Sequence, residues 1–276
     1  MGSKPCLILL FALIARSASA QGGPPLLTDD PDTPGPGYWE INLSVSVDKS
    51  QLESQLEIPR VDINYGVGNR IQLKFEMPWL CALEGTETRT GAGNSVTGVK
   101  WRFLGREGKR LAWSIYPQIE LNSGHAAVAA GLVEENRQFL LPTEATVEFA
   151  HVEINGEAGR NFVQHGENSW RAGVSTEAKI SKQLELLTEL HDEQRTGEPA
   201  ELIVTIGARQ KMTRQLALLF SGGRAVHGPS QERPHFLAYL ALQLNLPHVF
   251  TFEPQAAVPA RHLTKSTGAF STRPSP

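Results

Sequence analysis

Charged side chains that alternate with apolar ones are the residues of this chain with the clearest capacity for chemistry. Lys74 and Glu76 alternate with apolar neighbours, and so do Lys100 and Arg102. Alternate side chains of a β-strand point to opposite faces, so each segment gathers its charges on one face. Charges of both signs on one wall can form cross-strand ion pairs and hold water. The candidate residues of this wall are Glu40, Lys74, Glu76, Lys100, Arg102, Glu120, Arg171, Glu177 and Lys179.

Residue types used in catalysis and metal binding are present without the spacing that either chemistry needs. The eight histidines form no HExxH motif or Cys/His cluster, and Asp29–Thr33 lacks both calcium-loop spacing and a distal glutamate. Ser221-Gly222-Gly223 lacks the first glycine of a nucleophile elbow. The glycine-rich Gly91–Asn94 is not followed by a helix that could hold a phosphate. We therefore expect no catalytic residue, no metal site and no cofactor.

The first twenty residues have the features of a secretion signal. Lys4 gives a positive start, Leu7–Ile14 is an apolar run, and Ala18-Ser19-Ala20 provides small residues for cleavage before Gln21. The apolar run is too short to cross a bilayer as a helix. Because Cys6 does not sit at the cleavage point, the pattern does not indicate a lipoprotein. We predict that residues 1–20 are removed.

Charge and cysteine content limit the possible partners. Signal removal takes away Lys4 and Arg16 but no acidic residue, so the net charge falls from −3 to −5. An acidic chain without a basic run is a poor ligand for nucleic acid. Cys81 remains as a lone cysteine, which excludes an intrachain disulfide. We expect it to act as a small apolar side chain, and the alternative is a reactive thiol.

Strands, rather than helices, must position the charged residues. Trp39–Asp48 alternates without a slip, and similar segments follow it almost to the end of the chain. A change of phase at Pro59-Arg60 predicts a β-bulge. We predict twelve strands, near residues 38–48, 52–65, 70–79, 96–104, 111–121, 138–148, 151–161, 168–180, 184–193, 201–210, 215–223 and 235–246.

The connections between these strands alternate in length. Short and long connections alternate along the chain, apart from the link near Lys49, which is short where a long one is expected. Outer-membrane barrels have tight turns on the periplasmic side and longer loops outside. Short links fall near 66–69, 105–110, 150, 181–183 and 211–214, and long ones at 80–95, 122–137, 162–167, 194–200 and 224–234.

Aromatic residues cluster near the predicted strand ends. In a membrane barrel they would form the two girdles at the lipid–water boundaries, whereas in a soluble β protein they would fill a core. The residues concerned are Tyr38, Trp39, Tyr65, Trp79, Trp101, Trp113, Tyr116, Trp170, Phe236 and Tyr239.

Five short segments carry a family resemblance: Leu27–Gly35, Trp39–Asn42, Pro59–Gly66, Gly98–Phe103 and Tyr116–Glu120. They resemble the outer-membrane β-barrel family labelled MetA-pathway of phenol degradation, or putative transporter. The similarity covers most of residues 25–245. It implies an outer-membrane channel, in some cases encoded with aromatic-degradation pathways, and it brings no catalytic residues.

The end of the chain departs from the pattern of many outer-membrane barrels, which finish on an aromatic residue. This chain ends Arg273-Pro274-Ser275-Pro276, and Phe252 is its last strand-like aromatic residue. Either the closing strand ends there and the remainder is an appendage, or the chain does not insert into the membrane.

Together these features predict an all-β fold, an up-and-down antiparallel transmembrane β-barrel of about 12 strands in a Gram-negative outer membrane. The expected organisation is a signal peptide (1–20), an irregular lead-in rich in proline and glycine (21–37), the barrel (38–246) and a proline-containing tail (247–276). Its partners would be outer-membrane lipid and a small-molecule solute. The sequence leaves its oligomeric state open.

The predicted function is porin-like: passive passage or binding of small molecules, among them hydrophobic or aromatic ones, with selectivity from lumen charges and from loops 80–95 and 122–137. The alternative is a soluble periplasmic β-barrel or sandwich that binds an apolar ligand or a protein partner. The two differ in whether apolar residues such as Ile41, Leu43 and Phe75 face lipid or a closed core. A third class, an outer-membrane lipase, would need a serine and a histidine within hydrogen-bond reach.

Overall fold

The computed structural model describes residues 23–105, 110–122, 124–228 and 233–247. The predicted signal peptide, and the predicted tail from residue 248 onwards, lie outside the described residues. The strands are β1 (Trp39–Lys49), β2 (Ser54–Val67), β3 (Ile71–Glu84), β4 (Glu87–Ala92), β5 (Ser95–Leu104), β6 (Leu111–Ile115), β7 (Gln118–Leu121), β8 (Gln138–Phe149), β9 (Val152–Val163), β10 (Ser169–Lys179), β11 (Leu184–Arg195), β12 (Glu201–Lys211), β13 (Leu216–His227) and β14 (Phe236–Leu246).

These strands form a closed antiparallel barrel with twelve strand positions. Consecutive strands pair with each other, and β1 pairs with β14 along its whole length, from Trp39 opposite Leu246 to Lys49 opposite Phe236. β4 and β5 both pair with β3 and share one position, and β6 and β7 share the next, between β5 and β8. Closure pairs both edges of the sheet with each other at β1 and β14, whereas β4 pairs with β3 alone among the described strands. The predicted fold class is confirmed.

The single short helix among the described residues, α1 (His125–Ala129), lies in the connection between β7 and β8. No helix in the described ranges has the length and apolar content that crossing a bilayer would require.

The two faces of the wall differ as the alternation predicts. On β1 the polar residues Glu40 and Asn42 are buried inside the barrel, whereas Leu43 points outward and is 44% exposed. On β3, Leu73 and Phe75 are likewise outward, with 43% and 47% of their surface exposed. In water each such half-exposed side chain would forgo about 1 kcal/mol of burial energy, so this exterior suits hydrocarbon. The soluble alternative required these residues to pack in a closed core, which they do not.

The two ends of the barrel are different. One end, here called the short-turn end, carries the connections that follow β2, β5, β8, β10 and β12, including the two-residue turn at Ala150 and His151. The other, the long-loop end, carries the 16 residues between β7 and β8, with α1 among them. The connections after β9, β11 and β13 are also at the long-loop end. The lead-in joins the start of β1 at the short-turn end.

Two local predictions have opposite outcomes. The bulge near Pro59 is confirmed, because the β2–β3 register shifts between Glu57 and Arg60. The long link predicted at 80–95 is wrong: β3 continues to Glu84 and returns at once through β4, with Glu84 opposite Glu87. Residues 80–95 therefore form a hairpin rather than an irregular loop, and the hairpin packs against the connection that carries α1, where Arg89 donates to the Gly131 carbonyl at 3.0 Å.

The predicted aromatic residues separate into an outward and an inward group. Trp101 and Trp113 are outward near the short-turn end, and Trp79 and Trp170 are outward near the long-loop end. Tyr116, by contrast, is 1% exposed and lies inside the barrel, where its hydroxyl contacts Gln72. Tyr239 also points inward. Two girdles of the predicted kind exist, but these two tyrosines are not part of them.

Candidate functional site

The inward faces of the strands form a charged lumen, and all nine candidate residues lie on them. They fall into two groups. Glu40, Lys100, Arg102, Glu177 and Lys179 belong to the half near the short-turn end. Lys74, Glu76, Glu120 and Arg171 border the cavities near the long-loop end. The sequence therefore predicts the side of the wall for these residues, but not the contrast between the two groups.

The described part of the lead-in, residues 23–37, runs inside the barrel. The segment meets the wall beside β1, where the Gly37 amide donates to the Gly66 carbonyl at 2.8 Å. From there the segment enters the lumen, where Thr28 and Asp30 are fully buried. Five prolines among residues 23–37 keep the segment extended or turned and out of the sheet. The lead-in segment thus occupies space that the barrel would otherwise leave to solvent.

Two buried cations of β5 hold the acidic part of the lead-in segment. Lys100 Nζ lies 2.8 Å from Asp29 Oδ1, donates to the Asp30 carbonyl, and lies 3.4 Å from Glu144 of β8. Arg102 lies 2.5 Å from Asp32 and also donates to the Asn69 carbonyl at 2.7 Å. A buried charge is tolerated only when it is paired, so these cations and the lead-in carboxylates require one another.

Further contacts tie the segment to the opposite wall. The Asp29 amide donates to Glu157 at 2.8 Å, and the Thr28 amide donates to Glu189. The Thr28 hydroxyl lies 3.4 Å from His191 Nδ1. Ser221 donates its hydroxyl hydrogen to the Pro25 carbonyl at 2.7 Å. This serine, which precedes two glycines, therefore anchors the lead-in.

Glycines in the wall make room for the segment. A Cβ on Gly173 of β10 would lie 2.0 Å from the Thr28 hydroxyl oxygen, and one on Gly66 of β2 would lie 1.8 Å from the Gly35 carbonyl oxygen. Real Cβ atoms do not approach other atoms so closely, so the lead-in can occupy this position only because these residues have no side chain.

The half of the lumen near the short-turn end, which we call the packed half, is filled by paired charges. Arg209 lies 3.4 Å from Glu177 and 3.3 Å from Glu185, and Lys211 lies 2.7 Å from Glu185. Ser114 donates to Glu144 at 2.6 Å. Lys179 and Glu148 form a looser pair, 3.7 Å apart, at the rim. Such a network fixes the wall and the lead-in segment in one arrangement.

The other half contains open space. Two adjoining cavities, of about 610 and 820 Å³, lie between the lead-in segment and the long loops and share lining residues such as Glu57 and Glu193. We call them together the vestibule. Its floor includes residues 23–27 of the lead-in, and its mouth is bordered by the loop that carries α1.

The vestibule wall is acidic. Most of its cations form ion pairs with carboxylates of the wall. Arg60 lies 2.6 Å and Lys74 2.8 Å from Glu76, and Arg171 lies 3.0 Å from Glu157. Several carboxylates have only neutral hydrogen-bond partners or none in the described part of the chain. The acidic lining residues outside ion pairs are Asp48, Glu120, Glu134, Glu135, Glu167, Glu193 and Glu198. A low-dielectric wall with this charge concentrates cations.

Sequence reasoning missed several residues of the lumen. Glu144, Glu157 and Glu189 lie on the polar faces of their strands, so the alternation that identified Glu177 could have found them. Asp29 and Asp32 could not be found in this way, because their role depends on packing against a distant strand. Among the described residues no group of His, Cys, Asp or Glu side chains is arranged to hold a metal ion.

Comparison with known proteins identifies the fold. No family model and no curated protein sequence matches the chain. The COG4313 outer membrane channel from Pseudomonas putida F1 superimposes with a TM-score of 0.63 and 11% sequence identity, over 79% of this chain and 98% of that one. The KdgM porin (TM-score 0.52, 10% identity, 75% of this chain and 99% of that one) and the NanC porin (0.51, 7%, 75% and 100%) are also similar. The chain has the fold and the apolar exterior of an outer-membrane β-barrel.

Proposed function

We propose that this protein is an outer-membrane channel through which small solutes enter by way of the vestibule. One observation carries the proposal: a closed barrel with an apolar exterior encloses a charged lumen that contains open space. A barrel with these two faces is stable only with hydrocarbon outside and water inside. The similar solved structures named above are channels and porins, which supports a transport role rather than an enzymatic one.

The orientation follows from the two ends. Outer-membrane barrels have short turns towards the periplasm and longer loops outside. We therefore place the long-loop end, with the vestibule, on the outer side, and the lead-in segment at the periplasmic side. A signal peptide at residues 1–20, removed on export, is part of the proposal.

The lead-in segment sets the size limit for passage. It is anchored across the lumen from Lys100 to Ser221, so the packed half admits at most ions and very small solutes while the segment is in place. Larger solutes would pass only if the segment withdrew. The vestibule wall favours cationic and polar solutes; passage of hydrophobic or aromatic molecules, and membership of the phenol-degradation barrel family, stay predictions.

The test is membrane fractionation followed by single-channel recording in planar lipid bilayers. We expect the native chain in the outer-membrane fraction and a small conductance that prefers cations over anions, measured as the reversal potential in a potassium chloride gradient. A matched control is Asp192→Asn, since Asp192 of β11 lies on the outward face and should not alter selectivity. A soluble chain, or the absence of conductance even after removal of residues 23–33, would contradict the proposal.

A further inference from the structure

A cationic side chain on the outward face of β9 is not explained by a channel function. Arg160 alternates with the inward residues Glu157 and Gly159 and pairs directly with Trp170 of β10 and Leu141 of β8. Its guanidinium carbon lies 4.7 Å from the centre of the Trp170 ring and 5.8 Å from that of Phe162. The guanidinium therefore lies over aromatic rings on the side of the wall that faces lipid.

The position of Arg160 along its strand places it at the lipid–water boundary. β9 ends three residues later at Val163, and Trp170 is the second residue of β10, so both are close to the long-loop end. A lipid-facing arginine is strongly disfavoured at the bilayer midplane but almost neutral near the interface. The guanidinium is thus at the depth of lipid headgroups.

A second arginine extends the cationic surface outward. The Gln164 amide donates to the Arg137 carbonyl at 2.9 Å, which continues the β8–β9 ladder by one pair beyond Gln138. Since Gln138 borders the vestibule, the alternation places Arg137 on the outward face, beyond the stacked rings of Phe139 and Phe162. Arg137 lies opposite Gln164, four residues after Arg160 along the chain, so the two arginines differ in height by about 13 Å along the strand.

Within the described part of the chain, no carboxylate neutralises the charges of this patch. None of the ion pairs formed among the described residues includes Arg160 or Arg137. The nearest outward carboxylate along the ladder is that of Asp192, two strands away on β11. A guanidinium presents a planar fork of N–H donors that matches a phosphate group.

We propose that Arg137, Phe139, Arg160, Phe162 and Trp170 form a binding site for a phosphate-bearing glycolipid of the outer leaflet. Arg160 and Arg137 bind phosphate oxygens, and the rings and the apolar wall beside them contact the sugar and the acyl chains. A free phosphate ion would gain nothing from the aromatic part of the patch. The inference rests on the proposed membrane location and orientation, but not on solute passage.

Binding is tested with the full-length protein in detergent, by native mass spectrometry. The probes are diphosphorylated lipid A, the same glycolipid with its phosphates removed, and inorganic phosphate. We expect the native chain to retain lipid A and to bind the dephosphorylated form at least tenfold more weakly, since charge-assisted hydrogen bonds are lost. Arg160→Gln should weaken lipid A binding about tenfold, and Arg160→Lys, which keeps the charge without the fork, should weaken it less.

The matched control is Arg224→Gln. Arg224 of β13 is exposed, pairs with Val204 on the outward face, and has no aromatic ring against it in the described part of the chain. It should retain lipid A as the native chain does. Heat-dependent migration in gels verifies that each variant is folded, and Trp170→Leu serves as a second variant with an expected intermediate loss.

Three results would overturn the site. Equal binding of phosphorylated and dephosphorylated lipid would assign binding to the acyl chains alone. Equal losses in Arg160→Gln and Arg224→Gln would indicate a diffuse charge effect. Displacement of lipid A by inorganic phosphate at millimolar concentration would indicate an ion site instead.

Discussion

The two halves of the lumen are built from the same strands but use charge differently. In the packed half, Lys100 is fully buried between Asp29 and Glu144, and Arg209 between Glu177 and Glu185. In the vestibule, carboxylates such as Glu193 face open space. A charged inner wall is therefore not by itself a pore. Where a segment of the chain supplies counter-charges, the wall becomes a solid polar core, and where none does, it stays available to solvent and solute.

Removal of the segment that separates the two halves should change conductance and stability more than any other variant. Deletion of residues 23–33 should raise single-channel conductance severalfold, because the packed half would then resemble the vestibule. It should also lower the free energy of unfolding by about 3–5 kcal/mol or more, since Lys100 and Arg102 lose buried partners. Bilayer recordings and urea titrations measure the two effects.

A Gly/Ser segment of equal length in place of residues 23–33 is the matched control. It keeps a chain in the same place but removes the carboxylates that pair with Lys100 and Arg102. If it leaves conductance at the native level, bulk alone closes the lumen and the ion pairs do not.

The second prediction compares one charge removal in each half. Lys100→Met leaves Asp29 and Glu144 without their cation and should reduce the free energy of unfolding by about 3–5 kcal/mol. Arg195→Met, at the exposed edge of the vestibule, should change it by about 0–1 kcal/mol. Equal losses in urea titrations of the two variants would show that the halves do not differ.

The third prediction disturbs the contact between wall and segment without changing charge. Gly173→Ala would place a methyl group on the Thr28 hydroxyl, so the lead-in segment should shift and conductance should rise, but less than after its deletion. Gly156→Ala is the control, because a Cβ at Gly156 meets nothing within 4 Å. Similar single-channel traces for both variants would argue against a close fit at Gly173.

The smallest effect is expected in the vestibule. Glu193→Gln should lower the preference for cations, seen as a shift of the reversal potential towards zero, and should alter stability by no more than about 0.5 kcal/mol. Asp192→Asn, the adjacent outward residue, should alter neither quantity. A stability loss comparable with that of Lys100→Met would mean that the vestibule wall is packed as well.

The wall of the barrel could be predicted from sequence because period-two alternation is a local signal. Each predicted strand has a counterpart whose bounds differ by a few residues, and the charged candidates point inward. The signal fails where both faces have similar polarity. From Trp79 to Leu83 every residue is apolar, so the extension of β3 carries no alternation, and the pattern predicts a loop where the hairpin lies.

The alternation of faces also predicts which way Tyr116 points. Trp113 and Ile115 are outward, so Tyr116 had to be inward, and only its proximity to a strand end suggested a girdle. The position of the lead-in segment is different, because no local pattern indicates it. Asp29 and Asp32 find their cations on β5, and that pairing exists only after the barrel has formed.

The pairing of β1 with β14 has a consequence for biogenesis. Trp39 and Leu246 lie at opposite ends of the barrel sequence, so the ring cannot close until the last strand is available, and contacts of such long range form slowly. The lead-in segment reaches Glu157, Glu189 and Ser221 on strands from across the ring. Its docking therefore belongs to the final stage of assembly, and a protease that cleaves within residues 23–33 would distinguish nascent from finished barrels.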